Sequence, residues 1–233
     1  MPWLCALLAY VLGSPENSHH HGNRYMKDQL YVQYGCGACA PTDWLNFDAS
    51  PDLRVERMPI IRQLLVGNRS RFPKNVQYGD IVKGLPVEPG TCKVVYCCHV
   101  LEHLALEDFR TALRNTRRIL QNDGVFRFVV PDLENLIGRY NGNSSKDAAG
   151  EFMRNTCLGH ETRPRDLKGL LIFLWGFMNH FWMWDFKSIA PELEAAGFRD
   201  IRRVQFNDSA DPMFLQVEEK YRWDDCLGVE CRK

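Results

Sequence analysis

The stretch Cys92-Lys-Val-Val-Tyr-Cys-Cys-His-Val-Leu-Glu-His-Leu104 decides the fold of this chain. Its first half is a run of β-branched, aromatic and thiol side chains, and polar residues begin at His99. A short apolar run of this kind is typical of a strand that is buried on both faces of a parallel sheet. The pattern therefore predicts a buried strand over 93–98, with His99 at its carboxyl end.

Strand and helix patterns alternate on both sides of this run, which predicts an α/β fold with a parallel sheet. After residue 198 the pattern predicts two consecutive strands, which we expect to complete the sheet as a C-terminal antiparallel hairpin. One predicted helix, 106–120, is expected to end at Asn122-Asp-Gly124. The predicted strands are 30–34, 44–48, 76–78, 93–98, 125–130, 199–206 and 214–221, and the predicted helices are 54–66, 106–120, 146–160 and 187–196.

The connection between the first two strands is unusually short. It comprises the nine residues 35–43, whereas a parallel crossover usually needs a dozen or more. We therefore expect a loop or a single turn in place of the first helix.

The composition narrows the class of protein. Lys+Arg and Asp+Glu both number 29, so no net charge attracts nucleic acid or an acidic membrane. No DNA-binding motif is evident. Nine cysteines are present, but Cys97 and Cys98 are adjacent within a strand pattern and cannot readily pair. Reduced thiols in a cytoplasmic protein are the favoured interpretation.

Two segments lie outside the strand and helix pattern. Residues 1–25 contain a short apolar run with no preceding Lys or Arg, and Met26 lies just before the first strand. We expect this extension to be disordered or dispensable, with translation beginning at Met26. Residues 169–184 are uncharged and aromatic-rich. Because Asn179 and His180 interrupt them and a membrane span needs about 20 apolar residues, we expect no span.

Two short motifs suggest other enzymes. His99-Val-Leu-Glu102-His103 matches the H-x-x-E-H spelling of a family of zinc peptidases. Two histidines four residues apart share a metal only on a helix, and His99 is predicted at a strand end.

Gly35-Cys-Gly37-Ala-Cys-Ala40 fits the dinucleotide fingerprint, but Pro41 and the next strand leave no room for the helix that binds pyrophosphate.

The polar residues that follow the strands suggest a different ligand. Gly35 and Gly37 permit a tight turn against a small zwitterion after the first strand. Asp48, after the second strand, can accept hydrogen bonds from two ribose hydroxyls. Asp80, after the third, can accept from an adenine amino group, with Ile81 against the ring face. Ligands of such sheets bind beyond the carboxyl ends of the strands.

Taken in order, these motifs resemble the class I S-adenosylmethionine-dependent methyltransferases over residues 29–223. This chain has Gln33 where many members have an acid, and Cys39 where a third glycine is common. The resemblance rests on Gly35-Cys-Gly37, Trp44-Leu-Asn-Phe-Asp48, Gly79-Asp-Ile-Val-Lys-Gly-Leu-Pro86, His99 to Leu104, Val130-Pro-Asp132, His180-Phe-Trp-Met-Trp-Asp185, Ala196-Gly-Phe198 and Asp208-Ser-Ala-Asp-Pro212.

The resemblance implies a Rossmann-like doubly wound sheet and S-adenosylmethionine as cofactor. It implies that residues 26–233 form the methyltransferase domain, with 141–187 as a helical, aromatic-rich insertion that roofs the substrate side. His99 is expected near the methyl donor. The implied cofactor contacts are Gly35, Gly37, Asp48, Asp80, Ile81 and His99.

The implied reaction is methyl transfer to an O, N or C nucleophile of a small-molecule or glycan-type acceptor. A base matters only when the nucleophile must lose a proton, and His99, Glu102, Asp132 and His180 are the candidates. Glu102 and His103 are otherwise expected to cap and orient the next helix. We expect no metal site. The alternatives are a zinc-dependent hydrolase that uses His99 and His103, and a cofactor-binding protein of the same fold without transfer activity.

Overall fold

A computed structural model describes residues 30–57, 72–161, 163 and 179–233. Within these residues seven strands form one sheet in the order β3-β2-β1-β4-β5-β7-β6. Strands β1 to β5 are parallel, and β7 is antiparallel to both β5 and β6. The strands are β1 Leu30–Tyr34, β2 Leu45–Asp48, β3 Val76–Tyr78, β4 Cys92–Cys98, β5 Leu120–Pro131, β6 Arg199–Val204 and β7 Cys226–Arg232. The predicted Rossmann-like sheet with a C-terminal hairpin is confirmed.

Helices cover the sheet. The described α-helices are α1 Pro51–Arg57, α2 Leu106–Ile119, α3 Leu133–Gly142, α4 Ala148–Asn155 and α5 Phe186–Ala195. Alternate residues of β4 face two separate cores, because side chains of a strand point to opposite faces. Val95 and Cys97 join a core with α2 and α5, whereas Val94, Tyr96 and Cys98 join a second core with Phe214 and Trp223.

The strand at the centre of the sheet is the one that the opening stretch predicts. β4 is almost wholly buried and pairs with β1 on one side and β5 on the other. The short connection is also as expected, because β1 and β2 are parallel and only turns join them. The described cysteines are all free thiols.

The end of one helix differs from the prediction. Helix α2 ends at Ile119, and Leu120 already has the extended backbone that begins β5. The predicted stop at 122–124 is therefore wrong, and Asp123 instead has a positive φ of 62° inside the long strand. A second helix, α5, ends as expected, with Gly197 at a φ of +87°.

The predicted strand over 214–221 is wrong. This part of the chain forms two 3-10 turns, Pro212–Gln216 and Lys220–Arg222. Phe214 and Val217, three residues apart, are both buried, which is a turn spacing and does not alternate as a strand does. The second strand of the hairpin is β7, at Cys226–Arg232.

Some predictions concern residues that the structure does not describe. The expected extension 1–25 is among these, as are most of the predicted helix 54–66 and of the aromatic run 169–184. Only the start of the predicted helix 54–66 is described, as part of helix α1 at Pro51–Arg57. None of the described helices is long and apolar enough to cross a membrane.

Candidate functional site

The carboxyl ends of β1 and β4 lie side by side at the point where the strand order reverses. Tyr34 of β1 pairs with Cys97 of β4, and the order then runs outward to β3 on one side and through β5 on the other. Open α/β sheets bind ligands in the crevice beyond this switch point. The turns after β1 and β4 therefore border the expected crevice.

The turn after β1 requires glycine at two positions. Gly35 has a φ of +67° and Gly37 a φ of +55°, which is the left-handed region that side chains disfavour. A Cβ atom at Gly35 would also overlap the side chain of Val100, which follows β4. No atom lies within 4 Å of a Cβ placed at Gly37. The first glycine thus packs the two turns together, and the second leaves its backbone accessible.

Asp48, at the end of β2, is bonded to this glycine turn. The Gly37 N–H donates to Asp48 Oδ2 at 2.9 Å, and the Ser50 N–H donates to Asp48 Oδ1 at 2.8 Å. The aspartate is 7% exposed. Since an ionised carboxylate has about four acceptor positions, both oxygens can still accept from a ligand hydroxyl.

Gln33 supports the turn from within the sheet. Its side-chain amide donates to the Cys39 carbonyl at 2.7 Å and to Asn46 Oδ1 at 2.6 Å, and the residue is 2% exposed. Gln33 therefore fixes the far end of the glycine turn to β2. The departure from the family pattern at this position has a structural role.

Asp80 and Ile81 lie in the turn after β3. The Gly79 N–H donates to the Asp48 carbonyl at 3.1 Å, which places this turn beside the end of β2. Asp80 accepts from the Val82 N–H at 3.0 Å and keeps its other oxygen 3.8 Å from Lys83 Nζ. Ile81 is only 4% exposed and belongs to the main core. Asp80 thus presents a carboxylate next to Asp48, while Ile81 presents little surface.

His99 follows β4 directly, with a positive φ of 55°. Its Nδ1 lies 3.1 Å from Glu102 Oε1 and its Nε2 lies 2.9 Å from the Arg222 carbonyl. Both partners are acceptors, so both ring nitrogens donate and the ring is an imidazolium. Burial would lower the pKa of His99, but hydrogen bonds to Cys226 and Glu102 and the charge of Glu102 raise it to about 10.

The Glu102 side chain is 1% exposed and lies among three histidines. Besides His99, the His103 Nε2 is 4.0 Å from Glu102 Oε1, and the rings of His103 and His180 meet edge to face with centroids 4.9 Å apart. Glu102 Oε2 and His180 Nδ1 are both buried and have no hydrogen-bond partner among the described residues. Burial lowers the pKa of His180. The end of β4 therefore carries a buried carboxyl group with the imidazole rings of His103 and His180 beside it.

The family model described as "Methyltransferase domain" matches residues 32–128, from β1 through most of β5. The match over these residues is consistent with a class I S-adenosylmethionine-dependent methyltransferase. S-adenosylmethionine is accordingly its cofactor. No curated protein matches the chain.

Solved structures resemble this methyltransferase at low sequence identity. An S-adenosylmethionine-dependent methyltransferase from Thermotoga maritima, described as a possible histamine N-methyltransferase, is 16% identical with a TM-score of 0.50, over 99% of this chain and 89% of that one. An Archaeoglobus fulgidus methyltransferase is 15% identical with a TM-score of 0.46, over 90% and 88%. Phosphoethanolamine N-methyltransferase 2 of Haemonchus contortus is 12% identical with a TM-score of 0.44, over 91% and 50%, so this chain spans about half of it. The first likeness shows the shared fold.

Glu102 and His103 of the methyltransferase do not cap helix α2, contrary to the prediction. Its N-cap is Ala105, which makes no side-chain capping bond, and a 3-10 turn at Leu101–His103 directs both side chains elsewhere. The Glu102 carbonyl accepts from the Phe181 and Trp182 N–H groups, and His103 Nδ1 is 3.1 Å from the Asn179 carbonyl. These residues therefore hold the segment 179–182 over the end of β4.

Of the four candidate bases of the methyltransferase, three are grouped and one stands apart. His99 and His180 both lie beside Glu102. Asp132 instead accepts from the Glu134 N–H at 3.0 Å as the N-cap of α3, and its other oxygen is 3.7 Å from Arg203. The contacts of Asp132 are thus those of a helix cap.

Arg222 is a residue of this site that the sequence did not indicate. Its guanidinium donates to the Cys98 carbonyl at 2.7 Å while its own carbonyl accepts from His99. The preceding 3-10 turn, Pro212–Gln216, reaches the glycine turn, since Cys39 Sγ is 3.6 Å from the Gln216 carbonyl. Nothing in the local pattern marks Arg222, because its place depends on how residues 212–226 cross the sheet.

The zinc hydrolase alternative gains no support. Both ring nitrogens of His99 are engaged with acceptors, so His99 and His103 do not form the predicted pair of ligands.

Proposed function

We propose that this methyltransferase moves the methyl group of S-adenosylmethionine to an O, N or C nucleophile of a small-molecule or glycan-type acceptor by in-line displacement. The hydrogen bond between Gly37 and Asp48 carries the proposal. It joins the turn after β1 to the acid after β2, so that one site offers backbone to the methionine end and a carboxylate to the ribose.

The described residues fit this cofactor. Gly35 and Gly37 would face its methionine end, Asp48 its ribose hydroxyls and Asp80 its adenine amino group, with the small exposed edge of Ile81 against the ring. When bound, the cofactor supplies a sulfonium methyl group that is already activated. The protein then has to align the nucleophile and exclude water.

The candidate acid–base groups take different roles on this geometry. His99 is protonated near neutral pH, so it serves as a positive donor beside the crevice and not as a base. Asp132 is occupied as a helix cap. Glu102 and His180 keep the unpartnered acceptor atoms, so they are the groups that would receive a proton from a hydroxyl acceptor.

We propose a single methyltransferase domain in a cytoplasmic protein. Residues 26–233 would form the methyltransferase domain, and 141–187 would roof its acceptor side, because the segment at 179–182 is already bonded to Glu102. Residues 1–25 would be dispensable. Free thiols throughout the described residues support a cytoplasmic location.

Calorimetric titration with S-adenosylhomocysteine tests the cofactor site. We expect micromolar-range binding to the wild type, and a loss of about 1–3 kcal/mol for Asp48→Ala because ribose hydroxyls lose their acceptor. Asp43→Ala, an exposed aspartate at the other end of β2, is the matched control and should bind as the wild type does. Undetectable binding by the folded wild type would remove the proposal.

Transfer itself needs a second measurement. The protein is incubated with S-adenosylmethionine labelled at its methyl group and with fractionated small-molecule and glycan pools. Label that passes to an acceptor supports the enzyme. Tight S-adenosylhomocysteine binding with no labelled product from any pool would favour the cofactor-binding protein without transfer activity.

A further inference from the structure

We propose that Glu102, His103 and His180 bind a divalent transition-metal cation, with zinc as the best match to the ligand set. One ligand atom from each residue lies within 4.8 Å of the other two. A tetrahedral zinc ion with ligands at about 2.0–2.2 Å holds them about 3.4 Å apart. Small side-chain rotations therefore suffice to close the site.

The orientation of His103 leaves its metal-binding atom free. Its Nδ1 lies 3.1 Å from the Asn179 carbonyl, which can only accept, so Nδ1 carries the proton. Nε2 then has a lone pair, and this atom is the one 4.0 Å from Glu102 Oε1. A ligating histidine that donates its other N–H to a backbone carbonyl is the usual outer-shell arrangement of metal sites.

His180 brings a second imidazole to Glu102 from a distant part of the chain. Its backbone N–H donates to the Cys157 carbonyl at 3.2 Å. Its ring Nδ1 is buried and has no hydrogen-bond partner among the described residues. With its proton on Nε2, the ring would offer the Nδ1 lone pair to an ion.

His99 donates to Glu102 Oε1, but other polar atoms of this cluster stay unpartnered. Glu102 Oε2 and His180 Nδ1 are buried with no hydrogen-bond partner among the described residues. His103 Nε2 lies 4.0 Å from the same carboxyl group. Buried polar atoms are almost always paired, and three converging lone pairs repel each other. A cation at their centre satisfies all three, and two imidazoles with one carboxylate are the ligands of many zinc and iron(II) sites.

Three protein ligands would leave a tetrahedral ion one open coordination position. The hydrogen bond from His99 to Glu102 places the cluster beside the end of β4. This use rests on the proposed function. There it would bind the acceptor oxygen and lower the pKa of its hydroxyl, so that the proton passes to water. The oxygen would then form a bond to the methyl group as the S–CH3 bond breaks, and S-adenosylhomocysteine would leave. The proposal departs from the expectation of no metal, which considered only the pair His99 and His103.

The test is calorimetric titration of the full-length, chelator-treated protein with ZnCl2, followed by the visible spectrum of the Co2+ form. The N-terminal run His19–His21 can bind zinc adventitiously, so a variant with these three histidines changed to alanine is the control. We expect one equivalent of zinc in both proteins. His180→Ala should weaken binding at least 10-fold, and the Co2+ spectrum should be tetrahedral without thiolate bands.

The proposal would be overturned by no stoichiometric binding to the wild type, by binding lost in the His19–His21 variant, or by thiolate bands that point to Cys36 and Cys39. Unchanged affinity in a folded His180→Ala protein would do so as well. If that variant fails to fold, as seen by circular dichroism, His103→Gln replaces it. The S-adenosylhomocysteine titration is run in parallel without metal, so failure of this site is distinguishable from failure of the cofactor site.

Discussion

The backbone N–H of Gly37 donates a 2.9 Å hydrogen bond to Asp48 Oδ2. This contact joins two strand ends that are separate in the sequence, and it depends on the left-handed backbone that Gly37 adopts. The geometry of the cofactor site is thus coupled to the two glycines of the turn.

Alanine at the two glycines should have unequal effects. Gly37→Ala places a Cβ in open space and should cost about 1–2 kcal/mol of unfolding free energy through its φ alone. Gly35→Ala should cost more, because its Cβ also overlaps Val100. Urea denaturation measures both. Adding Val100→Ala to Gly35→Ala should make the double variant more stable than the sum of the single effects, whereas simple additivity would contradict the overlap.

Asp80 should determine preference for the adenine amino group. Wild type is expected to bind S-adenosylhomocysteine several-fold more tightly than S-inosylhomocysteine, which has a carbonyl oxygen in that place. Asp80→Ala should weaken the binding of S-adenosylhomocysteine by ~1 kcal/mol and abolish the preference for it over S-inosylhomocysteine. Lys83→Ala, which removes the nearby exposed ammonium, serves as control and should retain the preference. An Asp80→Ala protein that still discriminates would show that another group recognises the ring.

Stability should decrease with rising pH because of His99. Its folded pKa of about 10 lies above the ordinary value of 6.5, so its contribution is fully present below pH ~6.5 and is lost as pH rises toward 10. The expected slope is about 1 kcal/mol per pH unit. Denaturant unfolding between pH 6.5 and 8.5, below most thiol titration, measures it. His99→Asn, which tolerates the left-handed backbone, should remove the slope; an equal slope in both proteins would assign it elsewhere.

Arg127 should contribute strongly to the free energy of unfolding, because it anchors the C-terminal segment to β5. It is completely buried in β5 and pairs with Asp208, Glu218 and Glu230. Arg127→Met should cost about 3–5 kcal/mol, because it leaves buried carboxylates uncompensated. Glu218→Gln in the same chain should recover part of that loss. Arg199→Ala, which removes an exposed ion pair with Asp123, should cost under about 1 kcal/mol. Thermal and urea unfolding of the Arg127→Met and Arg199→Ala proteins measure this difference in stability.

Much of the fold follows from local pattern. The run at 93–98 identifies β4 because continuous apolar, β-branched residues suit a strand with both faces buried. Gly35 and Asp48 were identified because polar residues that follow parallel strands collect at one edge of the sheet. By contrast, the prediction of a strand at 214–221 is wrong. Phe214 and Val217 are buried three residues apart, and this spacing is explained only by their packing against Tyr96 and Trp44.

The sequence by itself determined the order of strands and helices, the buried β4 and the residues at the strand ends. Only the tertiary structure decided which of those residues meet. Asn179 and His180 lie far along the chain from Glu102, yet backbone hydrogen bonds bring their segment over β4. Arg222 reaches His99 in the same way. Local periodicity reports only how each segment buries its own side chains, whereas these contacts depend on how distant segments pack across the carboxyl ends of the sheet.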